Sequence, residues 1–121
     1  MDEKKKNAIK EGIIEAVKKG NEFFPDIEEF LESKGIDYTG GIAMCYTENP
    51  HIIMWAGWNI EGNEALREVL KEENISIVYG GNYFCLVHFI IGKGLSLPIA
   101  KSMKYPYKRD HWMPCALRLT V

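Results

Sequence analysis

Residues 101 to 112 read KSMKYPYKRDHW. Lys101, Lys104, Lys108 and Arg109 supply four cations before the first acid, Asp110, and Tyr105, Tyr107 and Trp112 interleave flat rings with them. Phosphate oxygens attract such cations and unpaired bases stack on such rings, so the mixture suits a single-stranded nucleic acid or another polyanion. The plainer reading is structural. Pro98, Pro106 and Pro114 stiffen a long irregular stretch, and the three rings would then be pins that hold it to the body. Loops longer than about 12 to 15 residues without secondary structure are commonly functional or disordered. The aromatic content argues against disorder.

His111 stands beside Lys108 and Arg109 and could serve acid-base chemistry on a phosphodiester, with the cations stabilising the developing charge. That requires His51 or His88 to meet it in space. Each cysteine also has a histidine nearby in sequence: Cys45 with His51, Cys85 with His88, and Cys115 with His111. The spacings miss the usual zinc patterns, and on a strand over 83 to 91 Cys85 and His88 would point to opposite faces. We therefore expect no metal and no cofactor. The fragment HWMPC lacks the His-x-Glu and second cysteine of a zinc deaminase. No nucleophile elbow, phosphate-binding glycine loop or dinucleotide fingerprint is present in the sequence.

The body that must carry this stretch is small and ordinary in composition. A chain of 121 residues, 46% hydrophobic and 26% charged, suits one domain with one core. Its formal charge of −2 hides an asymmetry: 9 Lys/Arg against 16 Asp/Glu up to residue 80, then 6 against Asp110 alone. A basic face on a near-neutral protein can still attract a polyanion. No apolar run reaches the roughly 20 residues of a membrane helix, no signal peptide is visible at the start, and the three cysteines are odd in number without a CxxC pair. We expect a cytoplasmic protein with reduced thiols and no membrane contact.

Hydrophobic spacing predicts three helices. Ile9, Ile13, Ile14 and Val17 mark the first, over 3 to 19; its Lys4, Lys5, Lys6 and Lys10 read as a solvated face. The second lies in FPDIEEFLESKGI, where Pro25 opens it, Asp26 and Glu28 suit its dipole, and Gly35 with Ile36 stops it. The third, over 63 to 73, has Asn63 as its cap and Ala65, Leu66, Val69 and Leu70 inward. Carboxylates on the second and third helices read as solvated surface.

Between them, strands at 42 to 47 and 52 to 57 flank a Glu48-Asn49-Pro50-His51 turn, and ISIVY at 75 to 79, a glycine turn at 80 to 82 and a strand at 83 to 91 make a second hairpin. A turn at 92 to 94, a short LSL strand, an irregular stretch from 98 to 114 and a closing CALRLTV strand follow. Short turns between consecutive strands predict an α+β fold: a mainly antiparallel sheet of about five to six strands with three helices packed against it. A helix followed by a hairpin over 63 to 97 resembles the recognition helix and wing of winged-helix proteins, which implies duplex recognition. The third helix carries Glu64, Glu68, Glu72 and Glu73 against Arg67 and Lys71, a poor match to phosphate.

These features define three expectations. The leading one is a nucleic-acid-associated binding protein without catalysis of its own. It uses Lys101, Lys104, Tyr105, Tyr107, Lys108, Arg109, His111 and Trp112. The second is a metal-independent nuclease or phosphate-ester enzyme built on His111 and Arg109. The third is a non-enzymatic protein-interaction or assembly subunit whose apolar hairpin pairs with a partner; Trp55 reads as core, and an exposed Trp58 at the sheet margin would favour a homodimer or another protein partner.

Overall fold

The computed structural model describes residues 2–72, 74–79, 97–113 and 115–120. The expected turn at 80 to 82, strand at 83 to 91 and turn at 92 to 94 lie outside the described residues, as do Cys85, His88, Glu73, Pro114 and most of the LSL strand. Among the described residues the order is α1 Glu3–Lys18, α2 Phe24–Ser33, β1 Thr39–Cys45, β2 Ile52–Trp58, α3 Ile60–Glu72, β3 Ile75–Tyr79, β4 His111–Trp112 and β5 Cys115–Leu119.

The helices form where local chemistry favours them. Asp2 caps α1 by accepting the Lys5 N–H at 3.1 Å, and its apolar stripe buries Ile9, Ile13, Ala16 and Val17. Pro25 occupies the first turn of α2, where its missing N–H costs nothing. At the other end Gly35 takes φ +69° and the Ile36 N–H reaches back to the Leu31 carbonyl at 3.0 Å, closing the helix. Gly12 permits the close approach of α1 to α2, since a Cβ there would sit 2.4 Å from Leu31 Cδ2. α3 begins earlier than expected: the cap is Asn59, whose Oδ1 accepts the Gly62 N–H at 2.7 Å, so Asn63 lies inside the helix.

The sheet differs more from expectation. β1 and β2 pair antiparallel, as the turn residues predict, but β2 also pairs in parallel with β4, through Ile52 with His111 and Ile53 with Trp112. β3 pairs antiparallel with β5, from Ile75 opposite Leu119 to Tyr79 opposite Cys115. The described strands thus form a mixed three-stranded sheet and a separate two-stranded one, not one mainly antiparallel sheet of five or six. A two-residue strand such as β4 carries no period-two signal. Its direction is set by how the chain returns from the loop before it.

One cluster of buried side chains is shared by all three helices and both sheets. At its centre Phe24 stacks on Trp55 with ring centroids 5.6 Å apart and meets Trp58 edge-on at 5.8 Å. Trp58 is fully buried, so the exposed aromatic on which the homodimer expectation rested is absent. Glu28 is buried as well, 5% exposed, contrary to its reading as a solvated acid. Its Oε2 accepts both indole N–H groups, from Trp55 and Trp58, each at 2.9 Å. A buried indole N–H left without a partner costs about 1–3 kcal/mol, so one carboxylate oxygen satisfies two such demands.

Candidate functional site

The segment 98 to 112, expected to be irregular, is closed at its neck by sheet bonds. Trp112 donates to the Pro98 carbonyl at 3.0 Å and accepts from the Ala100 N–H at 2.8 Å, with Ile99 bridged to Trp112 in parallel. Trp112 itself is 3% exposed and anchors this neck in the core. What lies between is a compact loop with its ends together, the geometry of an Ω-loop.

Inside the loop each turn is tied down. The Tyr107 hydroxyl accepts the N–H of Lys101 at 2.9 Å and of Ser102 at 3.3 Å, while Ser102 Oγ accepts the Lys104 N–H at 3.2 Å. Around Pro106, the Tyr107 N–H donates to the Tyr105 carbonyl at 2.9 Å. The tie to the body comes from Asn49 in the β1–β2 turn. Its Nδ2 donates to the carbonyls of Tyr105 at 2.8 Å and Met103 at 3.3 Å, and its Oδ1 accepts the His51 N–H at 3.1 Å. Asn49 is 8% exposed. In the sequence it reads only as a turn former, because nothing local reveals which carbonyls its amide will meet.

The side chains expected to do chemistry sort by their surroundings. Lys101, Lys104, Lys108 and Arg109 are all exposed, and none forms an ion pair with a carboxylate among the described residues. Tyr105 is 59% exposed, its ring 4.8 Å from that of half-buried Tyr107. Tyr107 in turn stacks on His111 at 3.9 Å. Trp112 faces the core and has no surface to offer a base.

His111 and His51 do come together, but through backbone. The His111 N–H donates to the His51 carbonyl at 2.8 Å. Their rings have other partners: His51 Nδ1 lies 3.3 Å from Asp110 Oδ1, and His111 Nδ1 lies 2.9 Å from the Arg109 carbonyl. A carbonyl only accepts, so His111 Nδ1 carries the proton and the ring is held flat against Tyr107.

Between the β1–β2 turn and the loop runs an open groove of about 530 Å³, with Glu48, Asn49 and His51 on one side and Lys104, Tyr105 and Tyr107 on the other. His111 does not line it. Cys45 and Cys115 do not line it. Burial pushes the Cys115 thiol up to about 12 and keeps it protonated, although a hydrogen bond with the Tyr46 hydroxyl partly opposes the shift. Among the described residues no three His, Cys, Asp or Glu side chains are grouped to hold a metal ion, and no helix is long and apolar enough to cross a membrane.

The winged-helix resemblance finds little in the described half. Acids of α3 face α1, with partly buried Glu61 and Glu68 and exposed Glu72 paired to its lysines. β3 takes β5 as its described partner, and the expected wing lies outside the described residues. Comparison of the chain with protein-family models, with curated proteins and with solved structures finds no match.

Proposed function

We propose that this protein associates with nucleic acid through phosphate contacts made by Lys101, Lys104, Lys108 and Arg109, without catalysis of its own. The observation that carries this reading is a loop held rigid by Asn49, Tyr107 and Trp112 whose four cations are exposed and unpaired with any described carboxylate. Unpaired cations release condensed counterions on meeting phosphate, and the pinned backbone that carries them gives up little conformational freedom in doing so. A binding role is favoured over a nuclease on His111 and Arg109, since the His111 ring is stacked on Tyr107 and lies outside the groove. The free Cys45 and Cys115 fit a reducing, cytoplasmic setting.

The test is anisotropy of labelled single-stranded and duplex oligonucleotides across a salt series, with a Lys104→Ala, Lys108→Ala, Arg109→Ala variant alongside. Binding should weaken steeply with salt. The variant should lose about 2 units of log-log slope on a single strand and about 2.7 on a duplex. Absence of binding at low salt would overturn the reading.

A further inference from the structure

We propose that the groove beside Tyr105 receives one unstacked base of a single strand, with the flanking phosphates on Lys104, Lys108 and Arg109, so that the loop prefers single strands to duplex. This rests on the phosphate-contacting reading of the loop and adds a base site to it. Three features of the groove support it.

The first is the exposed ring itself. Tyr105 is one of three large hydrophobic residues that are half exposed or more among those described, and its backbone carbonyl accepts from both the Asn49 amide and the Tyr107 N–H. Behind it Tyr107 and His111 form a ladder of rings at 4.8 and 3.9 Å. With 59% of the residue exposed and its ring tilted 49° to that of Tyr107, Tyr105 presents a stacking surface beside the open groove.

The second is the polarity of the groove. Glu48 lines the side opposite Lys104 and Tyr105. Its carboxylate repels phosphate, which turns the sugar-phosphate chain toward the cations and leaves the groove to the uncharged base. The third is the supply of polar edges at its rim. His51 and Glu48 there can meet the edge of a base, while a paired base in a duplex has both its faces and its edge engaged.

Stacking on an aromatic side chain strengthens binding by about 5- to 150-fold per base. The experiment uses the intact chain with three probes of about 12 nucleotides, within the range of single-strand site sizes. These are an oligothymidine strand, an abasic strand with the same number of phosphates, and a duplex. The oligothymidine should bind about 5- to 150-fold more tightly than the abasic strand, and more tightly than the duplex. Tyr105→Ala should close the gap between thymidine and abasic strands, while Tyr105→Trp should keep it or widen it. Far-UV circular dichroism checks that each variant is folded, since Tyr105→Trp adds an exposed indole to the emission of buried Trp55, Trp58 and Trp112. Equal binding of thymidine and abasic strands by the parent protein, or a gap that survives Tyr105→Ala, overturns the base site while leaving the phosphate reading intact. Failure to bind any probe overturns both.

Discussion

Two lysine-rich regions of this chain end in opposite electrostatic states. In α1, Lys6 reaches Glu3 at 2.8 Å and Glu68 at 2.6 Å, Lys10 meets Glu68 and Glu72, and Lys5 lies 3.5 Å from Asp37 and 3.9 Å from Glu61. Hydrogen bonds to Glu3 and Glu68 raise the Lys6 pKa, and the Glu72 bond raises that of Lys10. In the loop, Lys101, Lys104, Lys108 and Arg109 meet no described carboxylate. The denser run of lysines is thus the quieter one. A cluster of cations becomes an anion-binding surface only when no second element brings carboxylates across to it, and here α3 does so for α1 alone.

The strongest way to break that contrast is to neutralise each region in turn. Replacing Lys104, Lys108 and Arg109 with alanine should weaken oligonucleotide binding on the order of 100-fold at about 100 mM salt. The pair Lys5→Ala and Lys10→Ala should change it by no more than about threefold, since those charges are already matched. Comparable losses from both sets, measured by anisotropy, would erase the distinction. Next in size is Asn49→Ala, which removes two loop-pinning hydrogen bonds from a buried amide. It should lower stability by about 2 kcal/mol in urea denaturation, and the loosened loop should bind on the order of 10-fold more weakly. Unchanged affinity there would mean that the rigidity of the loop contributes nothing.

A smaller effect runs in the opposite direction. Glu68→Gln with Glu72→Gln should free Lys10 and leave Lys6 paired with Glu3 alone, which creates a second weak anion surface, with a gain of about two- to fivefold on a long polyanion at low salt that vanishes at high salt. The least effect is in pH. Hydrogen bonds from Lys6, then Lys10, hold Glu68 below the usual carboxylate range. A depressed folded pKa contributes stability that is present above the ordinary carboxylate value of about 4.3 and is lost as pH falls through the lower, folded one. The raised Lys6 and Lys10 contribute stability that is present below the ordinary lysine value of about 10.4 and fades as pH rises beyond it. Stability plotted against pH should therefore fall slightly less steeply at both extremes in Glu68→Gln, and an unchanged acid limb would remove Glu68 from the account.

Much of the fold can be read before any coordinates, and the reason is locality. Asp2, Pro25 and Gly35 act on backbone groups within one turn of themselves, and the stripes of α1 and α3 need only a core somewhere on one side. The Glu48 to His51 turn likewise sets its own hairpin. The exposed, cationic character of residues 101 to 109 is legible too, since composition alone places such residues outside.

Other features depend on meetings between distant residues. Glu28 looks like a helix-surface acid until Trp55 and Trp58 turn their indoles toward it. β4 has no pattern of its own and is made a parallel strand by the return of the chain to β2. Asn49 becomes the pin of the loop only because Met103 and Tyr105, 54 and 56 residues further on, arrive with their carbonyls facing it. The sequence by itself determined the helices, the first hairpin and the location of the unbalanced charge, because each depends on neighbours along the chain. Among the described residues the tertiary structure decided which lysines are neutralised, which aromatic rings are buried and that Tyr105 lies exposed beside a groove, because packing and Coulomb interactions act between residues that only folding brings together.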